Sequence, residues 1–483
     1  MVQIHIEPET SSQANLVVIG DRSLHSTPQG AIVHLRQESP LQPSRRHRPT
    51  ADRYCEPFRN LLDRHPETQE SLSALRVGLP VEFHGEQGLG KSALLRYLAH
   101  RPEMLTQFPD GVVYHRVQDQ PLEDLTQFLF DAFYEYNTTR PTKPTEDELY
   151  ESLLPLRALV VLDEVELDPI AIDRLVQEET GLALLMASVG SPRWSEGRTI
   201  PMRGLPIPDA MELIERHLGQ TFYDEERTQV EALCRLLKGH PLRMIQTVSA
   251  ARASADNQSR SGNENWLQDL TQLLQSGESP EAIAIRAATG LPEIERRLLA
   301  VLAVFGVTPV AASHLKALSA ATNLDLAFQT LVNRGLVWTD GVRYRLAGNL
   351  VYLFQHIWDL SPWIERSLSY FKEWAKQHRA PVTLAPALDI FWKLTSIAAE
   401  HGHWQDVLEL SLLLDEPLFM NKRWGQWQQV WNLGLEAARS LGDGAAEAYA
   451  LHQLGSRALA VDDAFSANAY LTEAIQIRTQ LGN

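Results

Sequence analysis

Eight consecutive residues have the types and the spacing of a phosphate-binding loop. They read Gly85-Glu86-Gln87-Gly88-Leu89-Gly90-Lys91-Ser92, and Ala93 follows them. The glycines allow backbone N–H groups to turn towards a phosphate, while Lys91 can reach the terminal phosphates and Ser92 can coordinate Mg²⁺. The sequence therefore predicts that residues 85 to 93 bind the phosphates of a nucleotide.

A second group of polar residues, Asp163 and Glu164, follows the apolar run 159–162. A buried strand that ends in two carboxylates is a second recurring element of nucleotide chemistry, because phosphoryl transfer depends mainly on positioning and electrostatics. We predict that Asp163 holds Mg²⁺ together with Ser92, and that Glu164 orients or deprotonates the attacking water. Lys91 and Glu164 are therefore the predicted catalytic residues.

The elements that must position these groups alternate between strand and helix from about residue 51 to residue 205. The predicted strands are 81–84, 111–117, 159–162 and 182–188, and the predicted helices are 92–100, 122–136 and 146–154. Such alternation is typical of a parallel sheet with helices on its faces. The helix after the loop adds its partial positive charge at the phosphate site. The predicted fold class here is an α/β P-loop NTPase core.

The remainder of the chain has few strand patterns. We predict a polar N-terminal segment and linker over 1–50, the core over 51–205, and an all-α helical lid over 206–290. Three helices and a hairpin that turns at Asp340-Gly341 predict a winged helix over 291–350. Over 351–483 the helical pattern repeats, and Gly455, Ala467 and Ala474 have the small-residue spacing of a tetratricopeptide repeat. The C-terminal region is therefore predicted to be an α-solenoid of TPR-like repeats.

Composition excludes several classes of protein. The 483 residues carry a formal net charge of −17, which disfavours broad nucleic-acid binding. The N-terminus has no basic region followed by an apolar core, and the apolar runs are too short to cross a bilayer. The two cysteines, Cys55 and Cys234, lie far apart in the sequence, which argues against a disulfide framework or a zinc site. We expect a cytoplasmic protein with no membrane partner.

With these motifs in place, the chain resembles the STAND nucleotide-binding switches of the NB-ARC (AP-ATPase) type over about residues 55–350. Upstream of the loop, Leu61, Leu62, Arg64 and Glu67 match a family motif that lies near the adenine. The resemblance therefore implies that Leu62 and Arg64 bind the base. Downstream, residues 238–242 resemble the family's Gly-Leu-Pro-Leu motif, whose proline packs beside the base, so Pro241 takes that role by resemblance. A helix stop made by Gly239 and Pro241 is the alternative explanation.

Two positions depart from the family pattern. The family often has an arginine that senses the γ-phosphate soon after the fourth strand, whereas the first arginine here, Arg193, comes several residues later. Arg193 is a candidate sensor, with a surface arginine as the alternative. The family's Met-His-Asp motif at the end of the winged helix is replaced by residues 346–348, which read Leu-Ala-Gly. The resemblance then implies that an ADP-bound resting state is weaker or is held by other contacts.

These observations favour a nucleotide-dependent signal-transduction switch that binds ATP or ADP with Mg²⁺ and hydrolyses ATP slowly, as a reset. We expect the C-terminal repeats to sense a protein partner or ligand, and nucleotide exchange to control assembly into a homo-oligomer in the ATP-bound form. One alternative is a winged-helix transcription regulator that binds DNA, and another is a scaffold with an inactive nucleotide site. The first is disfavoured because residues 291–350 carry six basic residues against four acidic ones, a surplus of only two.

Overall fold

The fold is described from a computed structural model. It describes residues 4–8, 31–35, 42–138, 141–176, 181–194, 197–258, 266–321 and 324–482. Near the N-terminus, β1 (Ile4–Pro8) and β2 (Ala31–Leu35) pair as antiparallel strands. Of the predicted linker, β3 (Ser44–Arg45) pairs with β6 (Tyr134–Glu135), so this part of the segment lies along the core.

The core is a parallel sheet of five strands in the order β5-β7-β8-β4-β9. Its strands are β4 (Val81–His84), β5 (Gly111–Gln118), β7 (Ala158–Val165), β8 (Ala183–Ala187) and β9 (Arg198–Pro201). Its helices are α1 (His65–Arg76), α2 (Lys91–Ala99), α3 (Pro102–Gln107), α4 (Leu122–Phe133), α5 (Glu146–Leu153) and α6 (Pro169–Val176), with a 3₁₀ turn at Ala51–Arg53. This arrangement confirms the predicted α/β core, although the sequence did not indicate β9, α1, α3 or α6.

The central strand β7 shows why an uninterrupted apolar run forms this sheet. Leu159 and Val161 pack into one cluster with residues of α2, whereas Val160 and Leu162 pack into another with residues of α4. Successive side chains of a strand point to opposite faces, so a strand covered on both faces must be apolar at every position. The carboxylates of Asp163 and Glu164 therefore emerge only where this buried run ends.

Five helices follow the core and form a separate apolar cluster. They are α7 (Ile207–Leu218), α8 (Asp224–Leu236), α9 (Pro241–Gln258), α10 (Trp266–Gln275) and α11 (Pro280–Thr289). We call residues 206–290 the lid. Its interior is lined by buried residues of several helices, such as Ile214 of α7, Val230 of α8 and Met244 of α9.

Residues 291–350, which we call the winged-helix segment, contain three helices and a three-stranded sheet in the order β10-β12-β11. The elements are α12 (Glu293–Phe305), β10 (Val310–Ala311), α13 (Ala312–Ser319), α14 (Asp325–Asn333), β11 (Val337–Thr339) and β12 (Arg343–Leu346). The hairpin turns at the predicted position, where Asp340 accepts hydrogen bonds from the N–H groups of Val342 and Arg343. Gly341 has a left-handed φ of 94°, which explains the Asp-Gly pair.

The remaining helices lie in the C-terminal part of the chain. They are α15 (Gly348–Ile357), α16 (Ser361–Gln377), α17 (Pro381–Leu384), α18 (Leu388–Glu400), α19 (Trp404–Met420), α20 (Trp424–Leu441), α21 (Gly444–Ala460) and α22 (Ala464–Gln480), with a 3₁₀ turn at Ala385–Ala387. We call residues 351–482 the helical repeats. A Cβ on Gly455 would lie 2.6 Å from Leu471 Cγ, so the small residue permits the close approach of α21 and α22. The boundaries between the regions stay predictions.

One apolar core runs through both the winged-helix segment and the helical repeats. It includes buried residues of α12, of α16 and of α18 to α21. Phe305 of α12 contacts Phe371 of α16 with ring centroids 5.8 Å apart, and a hydrogen bond of 3.0 Å joins His314 Nδ1 to the Tyr370 hydroxyl. Because a shared, close-packed core resists internal sliding, these two regions are expected to move together.

A helical stretch over Pro381–Glu400 is long and apolar enough, at 20 residues and a mean hydropathy of 1.2, to cross a membrane by length and composition alone. Half of it is buried inside the protein. Leu388, Phe391 and Leu394 are buried in the core shared with the winged-helix segment. The packing of these three residues accounts for the apolar character of the stretch.

The helical repeats return to the α/β core at α4. The Asp124 carboxylate of α4 accepts hydrogen bonds from the N–H groups of Gly425 (2.7 Å) and Gln426 (3.0 Å), in the first turn of α20. The indole of Trp424 donates to Gln127 Oε1 at 2.8 Å, and Lys422 forms an ion pair with Asp131 at 2.7 Å. Asp124 therefore caps a helix that lies 301 residues further along the chain.

We expect Asp124→Ala to loosen this contact, because two N–H groups of α20 lose their acceptor and the helix loses its cap, at a cost of about 1–2 kcal/mol. Hydrogen exchange should then accelerate in the first turn of α20. Asp463→Ala is the matched control, since Asp463 caps α22 through Ser466 N–H at a half-buried position. The same acceleration at α20 in both variants would contradict the role of Asp124.

Candidate functional site

The loop between β4 and α2 is shaped by three glycines with left-handed φ angles. These are 140° at Gly85, 91° at Gly88 and 94° at Gly90, values that residues with a side chain rarely adopt. Ser92 and Ala93 lie in the first turn of α2, whose N-terminus faces the loop. The predicted phosphate-binding residues 85 to 93 therefore form one strand–loop–helix unit.

Lys91 extends back into the loop. Its Nζ donates to the carbonyl oxygens of Gly85 and Glu86, both at 2.7 Å. Burial lowers the pKa of Lys91 to about 8, although the Asp163 carboxylate opposes this shift. The ammonium group is thus held against the loop backbone, where a polyphosphate would neutralise it.

Ser92 and Asp163 form the oxygen-rich part of the site. Ser92 Oγ donates to Asp163 Oδ1 at 3.0 Å, and the Tyr114 hydroxyl donates to Asp163 Oδ2 at 2.6 Å. Asp163 is fully buried, and burial together with the neighbouring Glu164 carboxylate raises its pKa. A hydroxyl and a carboxylate are hard oxygen ligands of the kind that Mg²⁺ prefers. These two residues therefore fit the predicted Mg²⁺ site.

Glu164 has an unusual backbone and a crowded carboxylate. Its φ is 54°, and the neighbouring strand residue Gln118 has a φ of 45°. Its Oε1 is paired with Arg345 Nη2 at 2.8 Å, while its Oε2 lies 3.1 Å from Gln118 Nε2 and 3.4 Å from Arg116 Nε. Burial would raise the pKa of Glu164, but Arg345 and Arg116 outweigh burial and lower it. Non-glycine residues in left-handed geometry are concentrated at functional sites.

The lid contacts the loop through the start of α9. The N–H of Leu242 approaches the Gly88 carbonyl at 3.4 Å, and a Cβ on Gly88 would lie 2.6 Å from Leu242 Cβ. Pro241 is the first residue of α9 and is half-buried beside this contact. Arg243 forms ion pairs with Glu86 at 2.8 Å and with Glu281 at 2.7 Å. Residues 239–243 therefore do more than stop a helix, because they pack on the phosphate loop.

Arg64 supports the loop from inside the protein. Its Nη2 donates to the carbonyl oxygens of Leu89 (2.9 Å) and Arg203 (2.8 Å), and its Nη1 pairs with Glu67 at 3.1 Å. Arg64 is only 3% exposed and supports the loop through these contacts, while the base contact implied by resemblance stays a prediction. Leu62 is half-buried and packs against the apolar interior of the lid.

Arg193 follows β8, and its role as a γ-phosphate sensor stays a prediction. Its side chain is exposed, and its backbone N–H donates to the buried carboxylate of Glu82 at 2.8 Å. The arginines that the structure brings to the site are Arg116, Arg345 and Arg243, none of which was predicted to act there. In the sequence, Arg345 was noted only as one of the six basic residues over 291–350. Strand periodicity places Arg343 and Arg345 on the same face, so the sequence pattern gave no signal that Arg345 would be buried while Arg343 is exposed.

The winged-helix segment also reaches the loop. A Cβ on Gly348 would lie 1.8 Å from Gln87 Nε2, so the residue that ends the Leu-Ala-Gly sequence lies directly against a loop side chain. A side chain at position 348 would require the end of the Gln87 side chain to move. The segment therefore closes over the loop without the histidine that the family pattern places nearby.

No family model matches the chain, and no curated protein matches it in sequence. Among solved structures, it is similar to a Signal Transduction ATPase with Numerous Domains (STAND) protein with a tetratricopeptide repeat sensor from Pyrococcus horikoshii. The identity is 14% and the TM-score 0.50, over 89% of this chain and 66% of that protein, so this chain spans 66% of its length. A Walker-type ATPase of Pyrococcus abyssi matches at 14% identity and a TM-score of 0.31, over 63% of this chain and 99% of that one. The first likeness shows a shared fold and confirms the predicted P-loop core followed by helices.

Proposed function

We propose that this chain, which shares the fold of a STAND ATPase with a repeat sensor, is a nucleotide-dependent switch that binds ATP or ADP with Mg²⁺. The observation that carries the proposal is that two regions close on one phosphate loop. The lid contacts it through Leu242 and Gly88, and the winged-helix segment through Gly348 and Gln87. A loop enclosed in this way suits a nucleotide that holds domains together.

The chain's own residues supply the binding chemistry. Lys91 would exchange its two loop carbonyls for phosphate oxygens, which are stronger acceptors because they are charged. Ser92 and Asp163 would hold Mg²⁺, which when bound neutralises phosphate charge. Glu164 would accept the proton of the attacking water once its carboxylate is free. The pairing of Glu164 with two arginines in this arrangement supports slow hydrolysis, used as a reset.

We further propose that the helical repeats receive the signal. They touch the core at α4 through Asp124 and share one apolar core with the winged-helix segment. A protein partner or ligand that displaces α20 from α4 would therefore also move the winged-helix segment, which covers the nucleotide site. The opened, ATP-bound form would assemble into a homo-oligomer in the cytoplasm.

The DNA-binding alternative gains no support from the winged-helix segment. Of the basic residues counted there, Arg345 is buried and paired with Glu164, which lowers the charge available to a phosphate backbone. Measurable ATP turnover would exclude the alternative of a scaffold with an inactive nucleotide site. Calorimetry with ATP or ADP in the presence of Mg²⁺ tests the proposal, together with light scattering before and after ATP addition. We expect heat with both nucleotides and a larger particle with ATP, whereas the absence of heat with either nucleotide would refute the switch.

A further inference from the structure

The donors that surround the Glu164 carboxylate come from two regions of the chain. Arg116 and Gln118 belong to β5 of the core, whereas Arg345 belongs to β12 of the winged-helix segment. Each carboxylate oxygen already faces a cation, at 2.8 Å for Arg345 and 3.4 Å for Arg116. A water molecule that is to transfer its proton to Glu164 must therefore compete with these donors.

Arg345 is buried and packs against an aromatic side chain. Its residue is 8% exposed, and its guanidinium lies 4.9 Å from the centroid of Trp338, its partner across the hairpin. The Arg116 guanidinium lies 5.0 Å from the same ring, so one indole serves both arginines of the Glu164 cluster. Gln118 Nε2 also approaches the Val307 carbonyl at 3.3 Å. The winged-helix segment and the end of β5 therefore contact each other directly, on either side of Glu164.

We propose that Arg345 is a removable ionic cap on Glu164, so that hydrolysis requires the winged-helix hairpin to withdraw from the core. The inference deepens the proposed switch and rests on it, because it names the contact that regulates the same site. A buried carboxylate paired with a buried guanidinium is costly to separate unless both ends find other partners. The closed arrangement therefore keeps the base occupied, and withdrawal of the hairpin exposes one oxygen of Glu164.

The apolar core that the winged-helix segment shares with the helical repeats indicates which movement would withdraw Arg345 from Glu164. The hairpin belongs to the winged-helix segment, which shares its apolar core with the helical repeats through contacts such as Phe305 with Phe371. Displacement of the repeats from α4 therefore carries Arg345 with it. Arg116 and Gln118 remain on β5, which is hydrogen-bonded to the strand of Glu164, so these two donors do not leave with the segment.

Three variants test the cap. Arg345→Met removes the charge and keeps a side chain that can pack on Trp338, while Arg345→Lys keeps the charge and loses the planar guanidinium. Arg343→Met is the matched control, because Arg343 lies two residues away on the same strand, is exposed, and pairs only at 3.9 Å with Asp340. Hydrogen exchange is measured over residues 337–346 and 111–118 in nucleotide-free protein, and phosphate release in a single turnover of pre-bound ATP.

For Arg345→Met we expect exchange at the hairpin and phosphate release each to rise about tenfold, the change that corresponds to about 1.4 kcal/mol. Arg345→Lys should lie between this variant and the parent, and Arg343→Met should match the parent. If Arg345→Met fails to fold, the exchange and phosphate-release rates of Arg345→Lys, compared with those of the parent, test the cap instead. Unchanged exchange, or unchanged or slower phosphate release with ATP bound, would overturn the cap. A parent protein that binds no ATP would instead refute the proposed switch, and the exchange comparison would still test the contact.

Discussion

Replacing Lys91 with alanine is expected to abolish detectable binding of ATP and ADP. The variant removes the only ammonium group that the structure holds within the loop carbonyls, at 2.7 Å from Gly85 and Glu86 oxygens in the described part of the chain. Two charge-assisted hydrogen bonds to phosphate are worth about 1.5–3 kcal/mol each, so affinity should fall by at least about 100-fold. Titration with a fluorescent nucleotide in the presence of Mg²⁺ measures the change.

The control is Arg96→Ala, which removes one positive charge from the same helix, where Arg96 donates to the Glu56 carbonyl. We expect parental affinity in that variant. An equal loss in both variants would show that general charge matters more than the position of Lys91. An unchanged affinity in Lys91→Ala would contradict the assignment of the loop.

The same lysine predicts how affinity depends on pH. Its pKa in the free protein is lowered to about 8, chiefly by burial, and a bound polyphosphate favours the protonated form. The free protein therefore holds the binding-competent cation below pH 8 and loses it above that value. Affinity should be constant near pH 7 and fall by up to about tenfold per pH unit above 8. A flat profile up to pH 9.5 would contradict this.

Replacing Glu164 with glutamine should retain nucleotide and abolish measurable turnover. A positioned general base contributes about 10²–10⁴-fold to rate, and glutamine keeps the size of the side chain without its proton affinity. Phosphate release from parent and variant, at equal nucleotide occupancy, provides the comparison. The variant also loses its ion pair with Arg345, so nucleotide occupancy must be measured directly.

Glu166→Gln serves as the control for this variant. Glu166 is exposed just beyond the end of β7, and removing its charge tests whether any carboxylate at this end of the strand is sufficient. We expect parental phosphate release. Equal release from Glu164→Gln and the parent would show that Glu164 is not the base, and no release from either would favour the scaffold with an inactive site.

Sequence motifs identified the parts of the site that are contiguous in the chain. Residues 85 to 92 predict a phosphate loop because the amide hydrogens and the ammonium that bind phosphates, and the hydroxyl that binds Mg²⁺, must come from one short segment. Asp163 and Glu164 follow a strand whose apolar run was readable because both of its faces are buried. Each of these elements can be recognised from its own contiguous residues. The predicted α/β core followed by helices was confirmed.

Roles carried over by resemblance stay predictions. Arg64 was expected beside the base, and in the structure its guanidinium contacts Leu89, Arg203 and Glu67. Arg193 was a candidate sensor, and its side chain is exposed. A motif preserves the type of residue at a position, whereas the direction of a long side chain depends on which acceptors the surrounding fold leaves open.

The sequence by itself determined the chemistry of the phosphate loop, the strand that delivers two carboxylates, and the helical character of the C-terminal half. Only the tertiary structure decided what surrounds that chemistry. It set Arg345 of a distant hairpin on Glu164, Gly348 against Gln87, and Asp124 on a helix 301 residues away. Periodicity reports which face of an element is apolar, but a single ion pair between remote segments leaves no period. Such contacts are fixed only when the packed cores bring the segments together.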